Sequence, residues 1–265
     1  MRTRIISDLH LGHSASRLTD PVMLAPILEE VDHLILAGDV WQQNAGDLRR
    51  AARQKYDALL KLVESRGITV EVLHGNHDPE GGKGVARVGE GAVLVTHGDA
   101  LYANATPWAR EMGKYRREVD AIIQKYESRT GSAEECAKRA KEIALILGGL
   151  PLLKLPPPLN FFATALWPPG RTIGMVRVWA GMGERGLEFL ERSGEGAGVL
   201  VCGHFHRAGI WEKEGKLMVN TGSFMKGSRA WAVDVSDDKL TVRGLVLSDG
   251  QYVLGPVKGR WILRR

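Results

Sequence analysis

The sequence predicts an α/β sandwich interrupted by a largely helical insert, and three observations carry that expectation. In the first hundred residues, short apolar runs rich in Ile, Val and Leu alternate with amphipathic helical patterns. Towards the other end, strand-like runs follow one another through tight connections. Between these regions, residues 100–194 carry charge-dense helical patterns followed by proline-rich and apolar segments.

Taken in order, Arg4–Ser7, His33–Gly38, Thr69–Gly75 and Gly91–His97 read as buried strands, each an apolar run ending in small or polar residues. Pro21–Val31 and Asp47–Ser65 read as helices. In the second, Tyr56, Leu59, Leu60 and Val63 recur at three- and four-residue steps and Gly67 supplies the stop. Within the insert, Trp108–Arg129 and Ala133–Leu147 read as helices, followed by a proline-rich turn and an apolar segment, Phe161–Trp179. Gly198–Gly203, Gly209–Glu212, Lys216–Thr221, Arg229–Val235 and Lys239–Val246 read as strands of a second sheet or a continuation of the first. The expected division is a core of residues 1–99 and 195–250, an inserted helical cap of residues 100–194, and a basic tail of residues 251–265.

Composition narrows the classes. The 265 residues are 44% hydrophobic and 25% charged, which excludes disordered and fibrous architectures. Lys and Arg number 36 against 31 Asp and Glu, an excess of 5 that favours anionic partners without specifying nucleic acid. Residues 100–194 hold 14 Lys and Arg against 10 Asp and Glu, so much of that excess lies in the insert. Cys136 and Cys202 are far apart, which argues against a disulfide framework or a cysteine zinc site. No apolar stretch of signal-peptide length opens the chain, and Leu155–Gly170 contains five prolines and falls short of the roughly 20 apolar residues of a membrane span. A mature start and a cytoplasmic location are therefore expected, with peripheral contact at the inner membrane surface left open.

Five short motifs sit where predicted strands end: Asp8-Leu9-His10, Gly38-Asp39, Gly75-Asn76-His77-Asp78, His97-Gly98-Asp99 and Gly203-His204-Phe205-His206. The carboxyl ends of strands are where open α/β sheets bind their ligands. Asp8 and His10 are two residues apart, as are His204 and His206, so each pair can reach one ion from the same side of an extended segment. Carboxylate oxygen with imidazole nitrogen suits manganese, iron or zinc. Each motif alone is a common accident, but five of the eight histidines fall inside the set.

In this order the motifs resemble the signature of the calcineurin-like metallophosphoesterases, over residues 1–99 and about 195–247. The resemblance implies a four-layer α/β/β/α sandwich around two divalent metal ions, manganese first, with iron or zinc as alternatives. It implies that Asp8, His10 and His206 hold one ion, Asn76, His97 and His204 the other, with Asp39 bridging and His77 near the leaving group. Two cations roughly 3.5 to 4 Å apart can generate a bridging hydroxide that attacks phosphorus in line with the leaving oxygen. His77, if protonated, can then donate to that oxygen, while Asp78 either orients His77 or caps a turn. Asp99 is a candidate support for His97.

Other residues leave two readings each. His13 can meet a substrate phosphate or stay a solvated loop histidine, and Ser223 lies near the metals or serves a turn. His33, His74 and Cys202 read as packing residues. Arg116 and Arg117, with Arg110, Lys114, Arg171 and Arg177, bind substrate phosphates or form a solvated face. The apolar stretch Leu150–Trp179 is the core of a cap or a groove for something apolar.

The expected activity is hydrolysis of a phosphodiester or pyrophosphate bond in a phosphorylated small-molecule or lipid-linked substrate, with no obligate protein partner. The apolar insert, Ile6-Ser7-Asp8-Leu9-His10-Leu11 and His97-Gly98-Asp99 are similar to the UDP-diacylglucosamine pyrophosphatases of lipid A synthesis, although that branch carries arginine where this chain has His77. A nuclease is the other alternative. The tail, with Lys258, Arg260, Arg264 and Arg265 around Trp261, touches anionic lipid or nucleic acid, or packs a sheet edge.

Overall fold

The computed structural model describes all residues except 45, 107–112, 128–130, 149–168 and 264–265, and among helical residues it leaves the side chains of 169–172 undescribed. Two sheets pack face to face. The first runs β11-β10-β9-β1-β2-β3 and the second β4-β5-β6-β8-β7. In the first sheet, β1 (Arg2–Ile6), β2 (His33–Ala37) and β3 (Thr69–Leu73) are parallel, and β9 (Trp231–Ser236), β10 (Lys239–Ser248) and β11 (Gln251–Ile262) complete it as an antiparallel meander. In the second, β5 (Val93–Thr96), β6 (Val199–Cys202) and β8 (Lys216–Asn220) are parallel, flanked by antiparallel β4 (Val85–Val88) and β7 (Gly209–Lys213).

The two-residue period of the strands sorts the core into layers. Ile5, Ile35 and Ala37 face Val93, Val95, Val201 and Val219 between the sheets. Ile6, Leu34 and Leu36 point the other way, under Leu24 and Ile27 of a 3-10 segment (Pro21–Leu28) and under Leu59 and Val63 of α1 (Arg49–Glu64). Within Pro21–Val31, expected as a helix, Pro21–Leu28 is 3-10, with Pro26 inside it lacking the backbone N–H that a regular α-helix would use. Arg4 is buried on the same outer face. Its guanidinium makes a two-pronged ion pair with Asp234 on β9, at 2.6 and 2.7 Å, and also donates to the Ile27 carbonyl. Arg4 and Asp234 are register partners, so this charge pair fastens β1, β9 and the 3-10 segment together.

The boundary expected for the inserted cap does not follow the packing. α3 (Ala133–Gly148) and α4 (Pro169–Ser193) lie on the outer face of the second sheet, where Ala137, Met182, Phe189 and Leu190 pack against Leu94, Leu200 and Met218. These helices are the fourth layer of the sandwich. Among the described helices of this region, α2 (Arg116–Glu127) stands outside that layer, joined to α3 through Val119, Ala140 and Ile143. The sequence reading counted the helices as extra because an amphipathic face does not say which surface it covers.

Two strands went unread. β4 is only four residues long with Arg87 in its middle, too short to show a period. The segment read as a basic tail is β11, which packs the sheet edge against β10, its register running from Ser248–Gln251 to Lys239–Ile262. Asp249 and Gly250 both have positive φ, the two-residue turn that favours Asp-Gly, and that dipeptide was the missed signal. The proline-rich turn, most of the apolar stretch from Leu150, and Arg110, Arg171, Arg264 and Arg265 fall outside the described residues or side chains. No helix among the described residues is long and apolar enough to cross a membrane.

Because α4 covers a sheet, Phe189→Ala is expected to cost about 3–5 kcal/mol, the range for emptying a well-packed aromatic site. Denaturant unfolding of the full chain checks this, and a loss below about 1 kcal/mol, typical of a surface position, contradicts the layer assignment.

Candidate metal centre

Five parallel strands from the two sheets end on the same edge of the sandwich. The residues just beyond β1, β2, β3, β5 and β6 are those of the five motifs. At these ends the backbone turns left-handed: Asp8 (φ 52°), His10 (49°), Asp39 (51°), His204 (71°) and His206 (52°) all have positive φ. Non-glycine residues adopt this region at a cost, and such strain collects at functional sites. The segments after β1 and β2 continue side by side, with the amides of Asp8, His10 and Leu11 donating to the carbonyls of Gly38, Asp39 and Val40 at 3.1, 2.9 and 2.9 Å.

Asp8, His10, Asp39 and His206 bring ligand atoms within 4.8 Å of one another. His206 Nε2 lies 3.2 Å from Asp8 Oδ1, and His10 Nε2 lies 3.7 Å from both Asp8 Oδ1 and Asp39 Oδ2. On the other side of Asp39, His97 Nε2 is 3.4 Å from Oδ1 and 3.2 Å from Asn76 Oδ1. The two oxygens of one carboxylate thus face two different sets of ligands. His97 Nδ1 donates to the Ala37 carbonyl at 3.0 Å, which turns Nε2 towards Asn76 and Asp39. His204 stacks edge-on to His97 at 5.0 Å, and its Nε2 donates to the Ala105 carbonyl at 3.1 Å, so Nδ1 is the nitrogen it can offer an ion.

The electrostatics fit a cation. Burial works against ionising Asp8, yet hydrogen bonds from His10 and His206 hold its carboxyl below the ordinary range. Burial likewise opposes charge on Asp39, and the His97 and His77 imidazoles beside it keep it well below that range. Burial opposes charging His97 too, but the Asp39 carboxylate raises its pKa well above the usual histidine value. The carboxylate and imidazole atoms of Asp8, His10, Asp39 and His206 are donors that a divalent ion takes up in place of these protons.

A family model for calcineurin-like phosphoesterases matches residues 1–208. The chain belongs to that family. Among solved structures it is similar to Vps29 from Entamoeba histolytica, at 16% identity over 100% of both chains with a TM-score of 0.45. It is similar also to Vps29 from Chaetomium thermophilum, at 14% over 100% of both with a TM-score of 0.47. A dimetal phosphatase from Danio rerio matches at 11% over 92% of this chain and 95% of that one, with a TM-score of 0.43. No curated protein sequence matches the chain.

The remaining candidate residues lie around this centre as follows. His77 sits at the rim, its side chain 40% exposed, with Nε2 3.9 Å from Asp39 Oδ2 and its ring 5.0 Å from that of His10. Loss of solvent lowers its pKa, as do the neighbouring His10 and His206 rings, while Asp39 works the other way. The net shift is downward. Asp78 does not meet that ring. Its buried carboxylate instead accepts the backbone N–H groups of Asp39, Val40, Trp41 and Gly75 at 3.0, 2.7, 3.4 and 2.9 Å, clamping the loop after β2 to the loop after β3.

His13 lies beside the centre, ring to ring 6.2 Å from His10, and burial pushes its pKa down to about 4. Its Nδ1 accepts the Ala15 amide, which anchors this half-buried loop histidine. Arg116 pairs with Asp120 at 3.7 Å and borders a cleft with Leu101, Tyr102, Asn104 and Arg185, one loop away from His204, while Arg117 is exposed on the same helix. Ser223 serves a turn, accepting the Met225 amide. Cys202 is buried and its thiol is pushed upward by that burial, which excludes it as a nucleophile.

Three residues of the site were missed. Ser7 donates to Asp8 Oδ2 and meets the Thr221 hydroxyl at 2.6 Å, and the His204 amide donates to the same carboxylate. Gln42, buried three residues after Asp39, lies between His10 and His77. For Ser7 the available signal was a polar residue directly abutting a motif, which is too common to use alone, and Gln42 and Thr221 carried no local signal.

Gly38, with φ +83°, passes so close to the site that a Cβ would lie 2.6 Å from the His97 ring. Gly38→Ala is therefore expected to lose about 1–2 kcal/mol through left-handed strain and to displace a ligand. Elemental analysis of the dialysed variant should give less bound metal than wild type, and unchanged metal content contradicts the placement of His97.

Proposed function

We propose that this chain hydrolyses a phosphodiester or pyrophosphate bond with two divalent ions as cofactors. Asp8, His10 and His206 would hold one ion, and Asn76, His97 and His204 the other. The observation that carries this reading is Asp39, whose Oδ2 faces His10 and whose Oδ1 faces His97, so one carboxylate reaches both ligand sets. Such ions supply an activated water and neutralise charge on the phosphoryl oxygens when bound. Manganese suits the mixed oxygen and nitrogen donors, and iron or zinc suits them as well.

The side chains do the rest. His77 stands at the exposed rim beside Asp39, where its ring N–H can donate to the leaving oxygen. Asp78 holds both neighbouring loops at their working separation through backbone amides, a positioning role. His13 lies on the same side as His10 and can turn Nε2 towards a phosphate oxygen.

One observation favours a substrate with both charged and apolar parts. The cleft of about 660 Å³ next to the loop that carries Ala105 has an apolar wall of Leu101, Val119 and Ile123 and two guanidiniums, Arg116 and Arg185. A phosphorylated molecule with an apolar portion, such as a lipid-linked pyrophosphate of the UDP-diacylglucosamine type, suits that lining. A cytoplasmic setting, with peripheral contact to a membrane surface, accords with two buried free cysteines and a lipid-linked substrate.

Chelation should abolish turnover of bis(p-nitrophenyl) phosphate, and manganese should restore it; full activity in exhaustively stripped protein rules out the two-metal reading. His77→Ala should lower kcat by about 10²-fold or more with metal content retained, the scale of a lost proton donor. Wild-type turnover in that variant refutes its role, and lost metal shows that it acts as a ligand instead.

A further inference from the structure

We infer that Gln42 is a positioning residue that couples a metal ligand to the proton donor, by fixing the tautomers of His10 and His77 with one amide. The inference rests on the two-metal reading above. Gln42 Nε2 lies 2.8 Å from His10 Nδ1 and Gln42 Oε1 lies 3.1 Å from His77 Nδ1, the reverse of the order a metal on His10 Nε2 would require. The side chain is buried, and its backbone N–H is held by the Leu11 carbonyl at 3.1 Å, so the amide spans the gap between the rings from a fixed base. Beyond that bridge, His10 turns Nε2 towards Asp8, Asp39 and His206, and His77 turns Nε2 towards Asp39.

A half-turn about the last side-chain torsion exchanges the amide oxygen and nitrogen at almost no steric cost, so hydrogen-bond chemistry decides which end faces which ring. An imidazole that ligates through Nε2 must carry its proton on Nδ1. His10 Nδ1–H then donates to the Gln42 oxygen. The Gln42 NH2 group is left facing His77 and donates to its Nδ1. That leaves the His77 proton on Nε2, the nitrogen at the centre. One amide, having one acceptor end and one donor end, thus prepares one histidine to bind metal and its neighbour to donate.

No other residue type does both. Glutamate accepts at both ends, so it would draw the His77 proton onto Nδ1 and leave Nε2 as an acceptor. Methionine keeps the length and fills the space but makes neither bond. Aspartate is a carbon shorter and cannot reach both rings.

The test is the tautomer state of His77 in the full chain labelled with 15N-histidine and loaded with zinc, read by long-range 1H–15N correlation and assigned with His77→Ala. In wild type, His10 should show Nδ1–H with Nε2 on the metal, and His77 should show Nε2–H. Gln42→Glu should move the His77 proton to Nδ1, and Gln42→Met should give a mixture of the two tautomers. In both variants kcat should fall by about tenfold or more, with KM little changed and zinc still bound. A merely structural role for Gln42 predicts lower stability without these tautomer shifts. His77 found as Nδ1–H in zinc-loaded wild type, or unchanged in both variants, overturns the inference. Failure of the chain to take up zinc overturns the two-metal reading itself, an outcome visible from metal content before any tautomer is read.

Discussion

The site depends on one buried carboxylate. Asp39 lies between His10 and His97 with each oxygen facing a different histidine, and it accepts the His77 amide at 2.8 Å. A charge taken out of water this completely costs several kcal/mol unless its partners are fixed in place. Much of the surrounding architecture serves that fixing. Asp78 ties the backbone of Asp39 and Val40 to Gly75, and the segment after β1 runs beside the segment after β2 through three backbone bonds. Neither loop can shift without carrying a ligand away from the carboxylate.

The arrangement is bought with backbone strain at five residues and supported by the layers beneath. Left-handed turns at Asp8, His10, Asp39, His204 and His206 bend each chain end back over the sandwich, which an extended continuation would not do. The strands that feed these turns are anchored on both faces. Ile5 and Ile35 are held between the sheets while Ile6 and Leu36 are held under the 3-10 segment and α1. On the far side, α3 and α4 hold the second sheet through Leu94, Leu200 and Met218. The same helices position the loop whose Ala105 carbonyl receives His204, so the layer that supports the fold also sets a ligand's tautomer.

The five motifs and the strands before them were legible because a parallel strand buried on both faces is a plain apolar run, and a functional residue at its end breaks that run abruptly. Val93–Thr96 ending at His97 is the clearest case. The helical layer was misread for the opposite reason: α4 is amphipathic, and amphipathicity reports that a face is buried without reporting what covers it. β11 alternates with charged residues and glycines, so its strand character rests on pairing with β10, a contact between chain segments rather than a local property. Asp78 shows the limit for single residues. Its place next to His77 allowed two readings, orienting that ring or capping a turn, and its side chain turns to backbone amides.

By itself the sequence determined the residue types at the centre, their order and the family they belong to, because ligand chemistry is written in side-chain identity and the turns around it need glycine at fixed places. The tertiary structure alone decided the pairing. That Asp39 stands between two ligand sets, that Ser7 and Thr221 stand behind Asp8, and that Gln42 joins His10 to His77 are consequences of two sheets meeting along one edge. Those contacts join residues 29 positions apart for His10 and Asp39, 32 and 35 for Gln42 with His10 and His77, and 214 for Ser7 with Thr221. No local pattern records a distance of that kind, since it is set by the packing of whole layers.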